Sequence, residues 1–566
     1  MSEQNMQKIL IGFPWKLVDA VNALPLITCI KNAFVDAEIS ILILKEMEPL
    51  FRNFPVDHLI IIEKKYNFIP VLETGETLTS FLKENAFDIG INCFFSPCVA
   101  YSFFRANIKK RIGGFKDFFS LFLNPEQKVK YFLSLLKPLK IDLSLSKPAI
   151  YASTTKSSYL HIGICCDFQK KEEKSNWICT LIHLILEELP YVKISIFGKK
   201  EDHSKVEELI GEKNESIKNF CGNLELVDLI DKIHNLEVFI SDDPALLAIA
   251  EAVEVPVVDV FSLEKKKQLL PEDFFNKIKE AILKPLKDRS SMRSFAGYFP
   301  ITHGEKRLKE DNLEEKKIGV IILAGGMGRR LGLIKAKGLL QLGEKCLYDI
   351  LLEKASSAKK IGILTSPVTY LETKNYCLGK DIDLFCKKVY PTESFDGVSP
   401  EGNGALFDAV VYSKYWDQWK DLDIISVVAV DNPLANPLDK DLIFTKKELS
   451  VIGIERDRKE EKLGVLCTKK GSLAVREYFT LGKEGIEGLG YSGSFAATPK
   501  FFEKVSKTKL PFYRVEKKEE TFYERLLIDG FIYAESFDVI EKSRKDCFFP
   551  IKEKKDLFNY NKMMGI

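Results

Sequence analysis

Short apolar runs alternate with stretches of helical period along most of the chain. Ile9-Leu10-Ile11 reads as a strand, residues 21–33 as a helix, and Ile39-Ser40-Ile41-Leu42-Ile43-Leu44 as a strand covered on both faces. Residues 59–62 and 88–92 repeat the strand signal. A second set follows the polar stretch Ser153-Thr154-Thr155, with strands over 161–165, 192–197, 238–241 and 255–261 and a helix over 177–188. Residues 264–317 are rich in Lys and Glu, carry few strand signals and read as helix plus linker. A third set opens on Ile318-Gly319-Val320-Ile321-Ile322-Leu323 and continues with strands over 361–365, 424–430 and 464–467. Such alternation predicts an α/β protein built on doubly wound parallel sheets. At 566 residues the chain is too long for one hydrophobic core. The expected division is a Rossmann-like domain over 1–155, a second over 156–290, a linker over 291–316 and a further domain over 317–566.

The third set carries the clearest chemistry. Its first strand runs straight into Ala324-Gly325-Gly326-Met327-Gly328-Arg329-Arg330-Leu331-Gly332. Glycines let the backbone approach phosphates closely and turn N–H groups toward an anion. The spacing fits neither the dinucleotide fingerprint nor the Walker A loop. Arg330 and the later Lys337-Gly338 add mobile cations. A triphosphate that expels pyrophosphate needs such charge as its transition state forms. Each residue also has a plain reading: the glycines as tight turns, Asp431 as a turn cap at a strand end, and Lys517-Lys518 and Lys552 as solvated surface in a Lys-rich chain.

Composition narrows the partners. Lys plus Arg (83) nearly cancel Asp plus Glu (81), so the net charge of +2 gives no support for nucleic acid as the main partner. No apolar run is long enough for a signal segment or a membrane span, so a cytoplasmic protein is expected. The twelve Cys form no CxxC pair and read as buried, reduced thiols.

The loop with Lys335-Ala336-Lys337-Gly338 resembles the LAGGxGTRLG…PKG signature of eukaryotic-type UDP-sugar pyrophosphorylases, nearest to UDP-N-acetylglucosamine pyrophosphorylase. Leu364-Thr365-Ser366, Pro400-Glu401-Gly402-Asn403-Gly404-Ala405, Val430-Asp431-Asn432, Glu461-Lys462-Leu463-Gly464-Val465, Leu510-Pro511 with Lys517-Lys518, and Asp529 with Arg544, Asp546, Phe548, Pro550 and Lys552 are similar to later motifs of that family, in order. The resemblance implies a GT-A-like nucleotide-diphospho-sugar transferase domain that joins UTP to a sugar 1-phosphate with Mg²⁺, releasing pyrophosphate. It implies that Leu323, Ala324, Gly325, Gly326 and Gly328 cradle the nucleotide, that Arg330, Lys337 and Lys517 are catalytic cations, and that Lys552 contacts phosphate. Gly402 and Asn403 would meet uracil or sugar, and Asp431 would hold Mg²⁺ beside the nucleotide. Where the family has Asn, this chain has Gly490 and Gly493, and Tyr513 replaces a His. Those departures leave the sugar open, with UDP-N-acetylglucosamine and UDP-glucose types both compatible.

In the N-terminal half, Lys8-Ile9-Leu10-Ile11, Leu17-Val18-Asp19-Ala20-Val21, Asp36-Ala37-Glu38-Ile39, Arg111-Ile112-Gly113 and Gly198 with Glu201 resemble the ADP-heptose:lipopolysaccharide heptosyltransferase family. That implies a GT-B-like pair of Rossmann domains with a nucleotide-sugar donor, Asp19 as general base, and Lys174 and Asp243 near the donor. The family's Ser-Gly-Pro-Met-His after the Asp has become Pro244-Ala245-Leu246-Leu247-Ala248. Three functions follow: a uridylyltransferase fused to a heptosyltransferase-like half; a glycosyltransferase of lipopolysaccharide or cell-envelope glycan synthesis acting through Asp19; or a non-catalytic nucleotide-sensing or scaffold protein.

Overall fold

The computed structural model describes residues 7–565 except 52–53, 64–69, 95, 114–124, 142–146, 151–158, 166–171, 190, 211–214, 260–270, 289–296, 307–315, 334, 394–396, 478–485 and 518–519. The chain divides into two compact units. The first comprises Met1–Thr155, His161–Ile185 and Val192–Ala281; the second comprises Lys156–Leu160, Leu186–Tyr191 and Ile282–Ile566.

The first unit contains two sheets. One has strands β1 (Lys8–Gly12), β2 (Glu38–Leu44), β3 (His58–Glu63), β4 (Val71–Leu72), β5 (Ile89–Asn92) and β6 (Lys110–Gly113), in the order β4-β3-β2-β1-β5-β6. All pairings are parallel except β3 with β4. The order reverses between β1 and β5, as in a doubly wound fold. Helix α1 (Leu17–Ala33) packs Val21, Leu24 and Ile27 into the core with Ile9, Ile11, Ile41 and Ile91. It begins before residue 21, because residues 17–20 already follow the helical turn that Lys16 opens. The other sheet has β7 (Leu160–Cys165), β8 (Val192–Phe197), β9 (Ile217–Asn219), β10 (Val238–Ser241) and β11 (Val257–Asp259), in the order β11-β10-β7-β8-β9, with β10 parallel to β11 and β7, and β8 parallel to β9. Of the strand expected over 255–261, β11 forms only the middle, and 260–261 lie outside the described residues.

The second unit is built on one ten-stranded mixed sheet. Its strands are β12 (Tyr298–Pro300), β13 (Ile318–Leu323), β14 (Lys360–Thr365), β15 (Asp383–Cys386), β16 (Ile424–Ala429), β17 (Leu449–Ile454), β18 (Val465–Lys469), β19 (Ser472–Arg476), β20 (Gly490–Ala497) and β21 (Phe537–Lys542). The main path runs β12-β18-β20-β16-β13-β14-β15. Within it, β16, β13, β14 and β15 are parallel, while β20 is antiparallel to β16 and β12 to β18. Residues 298–300, expected as linker, thus form an edge strand. Tyr298-Phe299-Pro300 is too short to show a period, and only pairing with Cys467–Lys469 reveals it. The four parallel strands reverse order between β13 and β16. In open α/β sheets the ligand crevice lies at the carboxyl ends of such a pair.

Candidate functional site

Both arms of that crevice carry the chemistry expected there. Strand β13 hands over to the glycine loop, and Leu323 is registered with Leu364 on one side and Ala429 on the other. The loop then folds back: Leu331 N donates to Gly328 O at 2.8 Å, and Lys337 N to Gly326 O at 3.0 Å. Gly328 has φ +59°, a left-handed conformation that glycine adopts without strain. Gly338 lies against the buried Tyr348 ring, where any side chain would overlap it. These contacts set the Lys337 ammonium 3.0 Å from Asp431 Oδ2, just beyond β16. Both side chains are largely buried, at 13% and 22% exposure.

The segment holding Asp431 is pinned from three directions. Asp431 O accepts from Ile551 N at 2.7 Å. Asn432 donates through Nδ2 to Cys547 O and accepts at Oδ1 from Phe549 N. Lys354 donates to Pro433 O at 2.7 Å and Ala435 O at 3.1 Å, its ammonium pushed below the ordinary lysine range by burial. The Val-Asp-Asn motif therefore staples residues 547–551 beside the crevice, and Lys552 follows directly.

A second loop closes the β15 side. Gly402 has φ +87° and ψ −175°, a region essentially reserved for glycine. Arg525 N donates to Glu401 O and Gly404 N to Arg525 O, so the two backbones touch. The Arg525 guanidinium is buried between Glu401 and Asp408. Burial alone would lower its pKa; the two carboxylates outweigh it and raise it. Gly402→Ala would push a methyl into Arg525 O, which the flanking hydrogen bonds prevent from moving away. The expected loss is about 2–4 kcal/mol of stability, read by urea denaturation.

The expected residues are placed as follows. Leu323, Gly325 and Gly328 are half-buried, Ala324 is buried and Gly326 is exposed. Arg330 is exposed in the single turn Arg329–Leu331. Asn403 is exposed, and its Oδ1 accepts from Leu527 N at 3.0 Å, which ties the loop down. Lys517 ends the hairpin strand Tyr513–Lys517, but its side chain lies outside the described residues, as does Lys518. The Lys552 side chain is exposed, and its N–H donates to Asp556. Lys337, Asp431 and the glycine loop are brought together. Sequence reading missed Lys387, which lies across Gly325, and gave no role to Ser366 of the Leu364-Thr365-Ser366 motif, whose Oγ donates to Gly325 O at 2.9 Å. It also missed Arg525. Nothing in the Lys387-Lys388 pair sets it apart from the many solvated lysines.

Among the described residues no group of three or more His, Cys, Asp or Glu gathers as a metal site. Among the described residues, the carboxylate shown facing Lys337 at the crevice is Asp431. That suits Mg²⁺, which takes one or two protein carboxylates and fills its shell with phosphate oxygens and water.

The N-terminal unit is arranged differently. Asp19 on α1 is buried and ion-paired with Lys128 of helix α2 (Pro125–Ser134) at 2.6 Å, both side chains about one-tenth exposed. The side chain of Lys174, in α3 (Glu172–Glu188), lies outside the described residues. Asp243 caps α4 (Pro244–Ala252), accepting from Ala245 N at 2.7 Å and Leu246 N at 3.2 Å. With Pro244 lacking an N–H, the first amides of this helix are engaged by a carboxylate. What differs from the resembled family is the segment after Asp243, where Pro244-Ala245-Leu246-Leu247-Ala248 offers no hydroxyl and no histidine to a donor. Asp19→Asn is expected to cost about 3–5 kcal/mol by stranding the Lys128 charge, whereas Asp19→Leu combined with Lys128→Met is close to neutral. Chemical denaturation of the two variants checks this.

Comparison with known proteins finds two transferase families. Residues 139–289 match the family model of glycosyltransferase family 9 (heptosyltransferase). Lipooligosaccharide heptosyltransferase 2 of Campylobacter jejuni is 25% identical over 272 residues, covering 47% of this chain and 84% of that one. An Encephalitozoon cuniculi protein named "Probable UDP-N-acetylglucosamine pyrophosphorylase" is 27% identical over 297 residues, covering 44% of this chain and 85% of its own. The mouse UDP-N-acetylhexosamine pyrophosphorylase-like protein 1 is 25% identical over 306 residues, covering 42% of this chain, and the chain spans 60% of its length. Among the described residues no helix is long and apolar enough to cross a membrane.

Proposed function

We propose that the pyrophosphorylase-like half transfers a uridylyl group from UTP to a sugar 1-phosphate, releasing pyrophosphate. The observation that carries this reading is the Lys337–Asp431 pair at the reversal point of the parallel sheet, backed by the amides of a glycine loop. The pair has a nearly neutral sum, and each member has a stronger partner in a metal-bound triphosphate. Lys337 turns to the phosphates and Asp431 to Mg²⁺. Mg²⁺, held by Asp431, would supply neutralisation of the negative charge that builds on the phosphates. The chain's own residues do the rest. Gly326 and Gly328 bring backbone close to the phosphates, and exposed Arg330 is free to swing onto the departing pyrophosphate. Lys517 and Lys552 add charge from the hairpin and the stapled C-terminal segment. The sugar phosphate oxygen attacks the α-phosphorus in line, so catalysis is positioning and electrostatics, with no covalent enzyme intermediate.

The sugar is of the UDP-N-acetylglucosamine or UDP-glucose type. The heptosyltransferase-like half is proposed not to transfer glycosyl groups, because its candidate base is ion-paired and its helix start is capped. Incubation with UTP, Mg²⁺ and a panel of sugar 1-phosphates, and separately with an ADP-heptose-like donor, tests both points. Pyrophosphate release is expected with at least one sugar, unchanged in the Asp19→Leu/Lys128→Met variant. No release with any sugar, or consumption of an ADP-heptose-like donor instead, would overturn the proposal.

A further inference from the structure

The Lys337 ammonium can serve the crevice only if the backbone beneath it is held. Lys337 N donates to Gly326 O, and Leu339 N and Leu340 N close a single turn on Ala336 O and Lys337 O, each at 3.0 Å. The amide just before Lys337 is caught by a different element. Ala336 N donates to Glu372 Oε2 at 2.5 Å. Ala336 is fully buried, so without that carboxylate its N–H would be withdrawn from water with its hydrogen bond unmade. The Ala336 backbone is at φ −53° and ψ 130°, the extended geometry that proline adopts, and proline has no N–H to satisfy. Ala336 also stands at the proline of the PKG signature. An alanine there regains a donor and gives up the fixed φ.

Glu372 lies on helix α5 (Pro367–Tyr376), which supports the loop at two further points. Ser366, the N-cap of α5, holds the Gly325 carbonyl. Thr373 shares a 3.1 Å hydrogen bond with the Tyr348 hydroxyl, and Gly338 lies against that ring. Gly325, Ala336 and Gly338 are thus braced from one helix. Lys337 lies between the last two, with its ammonium on Asp431. Building on the uridylyltransferase reading, we propose that Glu372 is a positioning residue that does by hydrogen bond what a proline ring would do by covalent constraint. It acts through Lys337, not on the substrate. The bond is charge-assisted, and it fixes the residue in front of Lys337 so that the ammonium meets the phosphates already oriented.

Pyrophosphate release by the full chain, with UTP, Mg²⁺ and a panel of sugar 1-phosphates, tests this in three variants. Glu372→Ala is expected to lower kcat about tenfold to a hundredfold, the scale for a catalytic group displaced by about an ångström, with a smaller change in the KM for UTP. Glu372→Gln keeps a carbonyl acceptor and should retain most of the rate. Glu372→Ala combined with Ala336→Pro removes the orphaned donor and fixes φ, so kcat should recover most of the loss. A side chain that merely stabilised α5 would gain nothing from a proline at 336. Hydrogen exchange at residues 337–340 without nucleotide is the second readout: protection should fall in Glu372→Ala and return in the double variant. A kcat that Glu372→Ala leaves unchanged, a Glu372→Gln loss as large as that of Glu372→Ala, or a double variant as slow and as unprotected as the single one overturns this assignment alone. No release by the unaltered chain with any sugar overturns it together with the uridylyltransferase reading.

Discussion

Asp431→Asn is expected to slow pyrophosphate release about a thousandfold, with a loss of stability from the Lys337 ammonium left without its partner that urea denaturation reads separately. The substitution is nearly isosteric, and the backbone carbonyl that accepts from Ile551 N is untouched. The Asn432 bonds to Cys547 and Phe549 also remain. What disappears is the one carboxylate that faces Lys337 in the crevice. Loss of a single preorganised electrostatic contact in a transition state costs about a hundredfold to a thousandfold, and loss of a metal-binding carboxylate belongs at the upper end. Steady-state assays over a range of Mg²⁺ concentration should show the deficit chiefly in kcat, relieved little by excess metal. Lys337→Met should slow the same step. The double variant should fall far short of the product of the two losses, because the residues act on one charge distribution.

Arg525→Leu is expected to be the most destabilising single substitution in the pyrophosphorylase-like half, by about 3–5 kcal/mol. The guanidinium is buried, bonded to Glu401 and Asp408, and lies over the Phe512 ring. Removing it leaves two carboxylates desolvated without a counter-charge. It also frees the side-chain tie to the Gly402 loop, although the backbone bonds stay. Urea midpoints of the variant and the unaltered chain measure this loss.

Much of the fold was legible in the chain because buried parallel strands advertise themselves. Residues 318–323, 361–365 and 424–430 are apolar runs bounded by turns, and they became β13, β14 and β16 with boundary shifts of about a residue. The antiparallel edge was less visible. β12 has three residues, and its partner β18 lies far along the chain, so no local period marks it. The site divided along the same line. The glycine loop and Asp431 belong to contiguous motifs with a physical signature. Lys387 owes its position to the parallel pairing of β15 with β14 and to the missing side chain at Gly325, two facts joined only in three dimensions. The N-terminal unit teaches the converse. Asp19 stands where its motif put it, yet Lys128, 109 residues away, gives it an ion-pair role that local sequence does not announce.

Binding of Mn²⁺, a paramagnetic stand-in for Mg²⁺, followed by electron paramagnetic resonance, addresses the crevice most directly. The account predicts that UTP draws Mn²⁺ onto the full chain at about one ion per molecule, that Asp431→Asn abolishes this UTP-dependent uptake, and that Asp19→Leu/Lys128→Met leaves it unchanged. Uptake that ignores UTP, or that survives Asp431→Asn undiminished, would contradict a metal-bound nucleotide held between Lys337 and Asp431.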